Sequence, residues 1–349
     1  MRPEIRADAA LQYNGSVCCG LMPARDAIID QRPGIDFVVL NWNDPQSTAA
    51  LVADLCSYRE EGSRIVVVDN GSSHDKRREL EARLRPLGAD IVQDGEPRDE
   101  TPRGGLIVVL VKENCGCTGG YNVGLRFAAK GGENEYVWLF NNDVRVPDRR
   151  CVTQSVEFLA TRSAPIICSP PVASNDGWIR LECKVGLFGM TRTRFIRVGE
   201  YQTEPGQSWE SDHLIGCSLI ISKSAVARIG YLDEDFFLYG EELDWCYRGM
   251  RAGIEVCVLA VPPVVHGKPF RRETNTMQVY YKARNSVLVV RKYHGQGLRS
   301  IPWYLVRLGY LAVVVGRAKR GPQAHLSDYL KAACRGLRDG FHGLAGRAM

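Results

Sequence analysis

No apolar run in the chain reaches the roughly 20 residues that a helix needs to cross a bilayer. The stretch 301–316, IPWYLVRLGYLAVVVG, is interrupted by Arg307 and falls short. The first twenty residues contain early acids and no continuous apolar stretch. Neither a secretory signal nor an organelle-targeting helix is therefore expected, and the cytoplasm is the expected compartment. A Gly-x-Gly-x-x-Gly after the first strand and a Gly-x-x-x-x-Gly-Lys-Ser/Thr anywhere are both missing, which leaves dinucleotide oxidoreductases and P-loop enzymes as minor alternatives. Cys18-Cys19 and Cys115-x-Cys117 lack the second pair or regularly spaced histidine of a zinc module. The twelve cysteines are scattered, many in apolar runs such as Ile166-Ile167-Cys168 and Val256-Cys257-Val258, as reduced core thiols are. Acids are scarce at one end: residues 291–349 hold eleven Lys or Arg against Asp328 and Asp339. That segment carries net +9 and the remainder −4, so the formal +5 belongs to the tail.

With 349 residues, 45% of them hydrophobic, the chain can fill the core of one large α/β domain with appendages. Short runs rich in β-branched residues predict buried strands at Ile35 to Asn41, Arg64 to Asp69, Leu106 to Val111, Tyr136 to Phe140 and Glu255 to Ala260. Helical spacing predicts helices over 46–58, 74–85 and 119–129, and another starting near Glu241. Residues 94–105, rich in Pro, Gly and charge, read as a surface insertion. Strands alternating with helices imply an α/β fold with a doubly wound, mostly parallel sheet, whose ligands sit beyond the carboxyl ends of the strands. Polar clusters fall there: Asn41-Trp42-Asn43-Asp44, Asp69-Asn70-Gly71-Ser72 and Asn141-Asn142-Asp143. Gly116, Gly119, Gly120 and Gly124 surround a helix start. Two readings stand for them, backbone N–H groups approaching a phosphate or the tight packing of a turn.

Transfer of a sugar from a nucleoside diphosphate requires a countercharge for the leaving diphosphate and a base for the attacking hydroxyl. Asp143, just past a buried strand, is a candidate oxygen ligand for Mg²⁺ or Mn²⁺. Glu241, Glu242 and Asp244 follow the aromatic run Phe236-Phe237-Leu238-Tyr239. They fit the first turn of a helix, where the dipole favours acids; beside bulky apolar groups they also fit carboxylates tuned towards a base. His266, after Val264-Val265, reads either as a structural histidine or as a ligand.

The ordered blocks DFVVLNWND, VVVDNGS, ENCGCTGGYNVG, WLFNND, GCSLIISKSAVARIGYLDEDFFLYGEELDWCYRGMRAG, VVH and YYKARN resemble the family 2 glycosyltransferases, in particular their bacterial rhamnosyltransferase-like branch. The resemblance spans about residues 35–293. It implies a GT-A fold, hexosyl transfer by single displacement with inversion, a nucleoside-diphosphate sugar donor, dTDP-rhamnose among the candidates, and a divalent cation. The family's base-contacting aspartate matches Asp69. Its Asp-x-Asp metal motif falls on Asn141-Asn142-Asp143 with Asn141 in place of the first acid, and the histidine that completes the metal shell matches His266. The paired acids align with Glu241-Glu242, making Glu242 the base, with Asp244 and Arg248 supporting its helix. Asn41, Asn43, Asp69, Asn70, Asn114, Gly119, Asn142 and Arg284 are expected around the donor. For Arg284 the alternative is a surface or core-edge arginine on an amphipathic helix. Gly216-Cys217 resembles the family's small-residue approach to the donor sugar.

The expected organisation is an N-terminal extension (1–34), a glycosyltransferase domain (35–290, divided at 145 into nucleotide-binding and acceptor halves) and a basic helical tail (291–349). The tail reads either as an amphipathic anchor on an anionic membrane surface or as helices packed on the domain or on a second copy of the chain. No nucleic-acid module accompanies its charge. The acceptor is a glycan, a lipid-linked intermediate or a small molecule. The rivals are a nucleotidyltransferase, whose Gly-rich basic loop after the first strand is missing, and a catalytically silent nucleotide-sugar or glycan binder, which Asn141 keeps open.

Overall fold

The computed structural model describes residues 33–348 except 60–61, 94–104, 131–133, 187–190, 269–274, 296 and 319–324. The expected extension and the insertion at 94–105 lie almost wholly outside the described residues. The first half runs β1 (Ile35–Asn41), α1 (Pro45–Tyr58), β2 (Arg64–Asn70), α2 (His74–Leu84), β3 (Ala89–Gln93), β4 (Leu106–Val111), α3 (Gly116–Lys130) and β5 (Tyr136–Asn141). Then come β6 (Val144–Arg145), α4 (Arg150–Ala160), β7 (Ile166–Ser169), β8 (Val172–Ser174), β9 (Trp178–Val185), β10 (Thr191–Arg197), β11 (Ser208–Glu210) and β12 (Ser218–Ser222). The remainder is α5 (Lys223–Ile229), α6 (Glu241–Arg251), β13 (Glu255–Leu259), β14 (Val264–His266), α7 (Thr276–His294), α8 (Ile301–Ala318) and α9 (Leu326–Phe341).

The main sheet has the order β11-β13-β7-β12-β5-β1-β2-β4-β3. Its β5-β1-β2-β4-β3 half is parallel throughout, and β12 joins it antiparallel to β5. Alternation splits each strand between two cores. Phe37 and Val39 of β1 face one side with Leu51, Leu55 and Trp138, while Val38 and Leu40 face the other with Tyr121, Leu125 and Trp245. Burial on both faces is why these strands read as unbroken apolar runs. α1 begins at Pro45, one residue before its expected start, because Asp44 accepts a hydrogen bond from the Ser47 N–H at 3.1 Å and proline suits a first helical position.

A second sheet, β10-β9-β8-β14-β6, has no counterpart in the sequence expectations. It makes His266 the last residue of a strand, in register with Val144 of β6. The expected boundary at 290 falls within α7. α7 continues to His294, and α8 and α9 pack on it through Leu311, Val314, Val315, Tyr329 and Ala333. Close approach of α9 requires glycine: a Cβ on Gly336 would stand 2.4 Å from the Tyr280 carbonyl oxygen.

Candidate active site

β1, β2 and β5 bring their polar ends to one edge of the sheet. Asn41 is a buried hub, donating to Asp69 Oδ1 at 2.8 Å and accepting from the Thr48 hydroxyl at 2.7 Å. The other Asp69 oxygen accepts from Arg77 Nε at 2.8 Å. Asn43 takes a left-handed backbone (φ 56°) and its amide oxygen accepts from the Ser73 N–H at 2.8 Å, tying the β1 loop to the β2 loop. Asn142 donates to the Asp44 carbonyl and the Thr48 hydroxyl, both at 3.2 Å.

Several residues expected around the donor brace the loops that carry them. Asn70 donates to the Gly116 carbonyl at 2.8 Å and accepts from the Cys115 N–H at 3.1 Å, while Asn114 Oδ1 accepts from the Gly116 N–H at 2.8 Å. Their polar atoms are engaged in shaping the 114–116 loop. Packing requires glycine here in any case: Cβ atoms on Gly119, Gly120 and Gly124 would meet Cys115, Leu40 and Val38 at 2.8, 2.4 and 2.3 Å. Arg284 is neither at the surface nor at a core edge. It is fully buried, donating to the carbonyls of Asp235 (3.0 Å) and Phe236 (2.9 Å) and to Asn285 Oδ1 (2.9 Å). Asn285 donates to the carbonyls of Phe236, Leu238 and Tyr239 at 3.0, 2.8 and 2.6 Å. Phe237 and Tyr239 hold φ of 57° and 68°, costly for side chains of this size, and α7 secures that turn through these two residues.

Asp143 lies in the tight turn between β5 and β6. His266 Nε2 stands 3.4 Å from its Oδ1, and Lys268, which the motifs do not mark, ion-pairs with Oδ2. Burial opposes the Asp143 charge, but His266 and Lys268 outweigh it and hold the carboxyl well below the usual range. Asp143 Oδ1 is buried without a hydrogen-bond partner among the described residues. Asn141 does not join this pair, because its amide oxygen accepts from the Tyr121 hydroxyl at 2.7 Å. No cluster of three His, Cys, Asp or Glu metal ligands occurs among the described residues. Asp143 and His266 nevertheless fit a hard divalent cation that completes its shell with phosphate oxygens and water.

The three acids begin α6 and have different surroundings. Asp244 is buried and pairs with Arg248 (2.8 Å) and Lys292 (2.6 Å), so it anchors α6 to α7 rather than facing an open site. Burial and the adjacent Glu242 charge push Glu241 up to about 8. Burial also works against the Glu242 charge, but the His213 ring outweighs it and keeps this carboxyl low. His213 and Arg180, which stands 3.2 Å from the His213 Nδ1, carry no motif and escaped the sequence reading. Gly216 leaves room beside the acid, since a Cβ there would lie 3.5 Å from Glu242 Cβ. Burial, and then the charges of Glu241, Glu242 and Asp143, push the Cys117 thiol up, and burial with Asp143 and Glu242 does the same for Cys217.

No protein-family model matches the chain. Over 247 residues it is 25% identical to the low-salt glycan biosynthesis hexosyltransferase Agl10 of Haloferax volcanii, covering 68% of this chain and 78% of that protein. Over 326 residues it is 22% identical to the dTDP-rhamnosyl transferase RfbF of Shigella flexneri, covering 88% and 96%. In three dimensions it is similar to GalNAc-T7, solved with UDP, GalNAc and Mn²⁺ (TM-score 0.56, 12% identity, 90% of this chain), and spans 57% of that larger chain. It is also similar to the mannosyltransferase PcManGT of Pyrobaculum calidifontis, solved with GDP-Man and Mn²⁺ (TM-score 0.50, 14% identity, 90% of this chain and 86% of that one). The fold is GT-A, and the chain is a glycosyltransferase. Within that class its motifs resemble the family 2, rhamnosyltransferase-like type.

Proposed function

We propose that this glycosyltransferase is an inverting, metal-dependent enzyme that moves a sugar from a nucleoside-diphosphate donor to an acceptor hydroxyl, with Glu242 as the base. The observation that carries this reading is the place of the acid pair at the start of α6, with Glu242 Oε1 3.7 Å from His213 Nε2 and Gly216 beside it; burial and the Glu242 charge push Glu241 up, while His213 keeps Glu242 low. One of two adjacent carboxylates is thus reserved to accept a proton. The acceptor oxygen attacks the anomeric carbon, the bond from that carbon to the diphosphate oxygen breaks, and the acceptor proton passes to Glu242. A divalent cation held by Asp143 and His266 would neutralise charge on the departing diphosphate. Asn41, Asn43, Asp69 and Asn142 shape the nucleotide end.

The name of the Shigella relative supports dTDP-rhamnose as the first donor to test, and the name of the Haloferax relative, a glycan biosynthesis hexosyltransferase, supports a glycan acceptor over a small molecule. We assign residues 35–145 to the donor and 146–290 to the acceptor side and catalysis, and place the enzyme in the cytoplasm.

The test incubates the pure protein with Mn²⁺ and a panel of dTDP-, UDP- and GDP-sugars, following nucleoside diphosphate release for the wild type and Glu242→Gln. Metal-dependent release from one donor, lost in the variant, supports the reading and names the sugar. Calorimetric donor binding with no turnover over a panel of acceptor glycans would favour the silent binder instead.

A further inference from the structure

α8 is apolar on the side that packs and also on the side that does not. Leu311, Val314 and Val315 are buried against α7 and α9. Leu298, Ile301, Leu305 and Leu308 form a stripe at helical spacing that is 44 to 84% exposed, and Ala312 and Gly316 continue it. No polar residue stands on that line, and an unbroken apolar surface of this kind calls for a covering.

Charge decides what covers it. Residues 297–327, which bear the stripe, contain five Lys or Arg and not one Asp or Glu. Arg299 is exposed at the start of the stripe, and Arg317, Lys319 and Arg320 follow its end in the sequence. A second copy would set like charge against like. Anionic lipid headgroups supply the opposite charge, while the acyl boundary receives the stripe. By length and composition Leu298–Gly316 is apolar enough to cross a bilayer, which exceeds the expectation from residues 301–316 alone. Its other face is engaged by α7 and α9, however, so the helix suits the plane of the interface rather than a crossing.

We propose that the exposed stripe of α8 docks this enzyme on an anionic lipid surface. The docking layer remains tied to the acid-bearing helix through Lys292 and Asp244, 2.6 Å apart.

Flotation of the full chain with vesicles of phosphatidylcholine alone, or mixed with phosphatidylglycerol, tests it. The protein is expected to float with the anionic vesicles only and to be released by about 1 M salt or alkaline carbonate. Leu305→Glu/Leu308→Glu is expected to lower the bound fraction about tenfold or more, and Arg299→Glu by less, with thermal unfolding and donor turnover in solution unchanged. No binding, equal binding to neutral vesicles, or retention through carbonate would overturn the proposal. So would a solution dimer that the double variant dissolves, which would make a second copy the occupant.

Discussion

His213 Nε2 stands 3.7 Å from Glu242 Oε1, and on its far side the ring meets Arg180, whose Nη2 is 3.2 Å from Nδ1. A guanidinium only donates, so in the neutral ring Nδ1 accepts and the proton sits on Nε2, facing the carboxylate. We infer that His213 positions Glu242. His213→Leu is expected to reduce kcat by about 10- to 100-fold with little change in donor KM. His213→Gln keeps one acceptor and one donor and should retain most of the activity. Equal losses in both variants would indicate proton transfer by the ring itself.

Glu241 ties stability to pH. Its ordinary value is 4.5 and its folded value about 8, so between these the folded chain holds a proton that the unfolded chain has released. Its contribution is complete below 4.5 and is lost as pH rises through about 8. Thermal midpoints measured from pH 5 to 9 should fall more steeply for the wild type than for Glu241→Gln, the curves parting by several degrees at the alkaline end.

Asp143→Ala and His266→Ala should each weaken Mn²⁺ binding in the presence of a nucleoside diphosphate by about tenfold or more, read by calorimetry. Asn141→Ala should leave it near the wild-type value, because that side chain faces Tyr121. A loss as large as that of Asp143→Ala would return Asn141 to the ligand set.

At the opposite end of the strands, Arg64 donates to both oxygens of Asp36 at 2.7 and 2.6 Å, and Lys223 lies 3.2 Å from the same carboxylate. Arg64 and Asp36 are both buried. Arg64→Met leaves the carboxylate underpaired in the core and should destabilise the chain by about 3–5 kcal/mol in chemical denaturation. Activity of the folded fraction should be unaffected.

Local pattern alone determined the parallel half of the sheet and its ligand edge. β-branched runs ending in Asn or Asp declare both buried strands and the turns that follow, because burial on two faces demands continuous apolar residues and turns demand short polar ones. The paired acids at the start of α6 and Asp143 after β5 were legible for the same reason. The tertiary structure alone decided which of these polar side chains stay open. Arg284 and Asn285 sit on a helix whose periodicity is equally compatible with donor contact, and only the packing of α7 against the 236–239 turn commits them to backbone carbonyls. His213, Arg180 and Lys268 reach the acids from distant segments, through strand pairing and loop closure. Spacing along the chain records which face a side chain takes, whereas its partner is set by how separate elements meet in space.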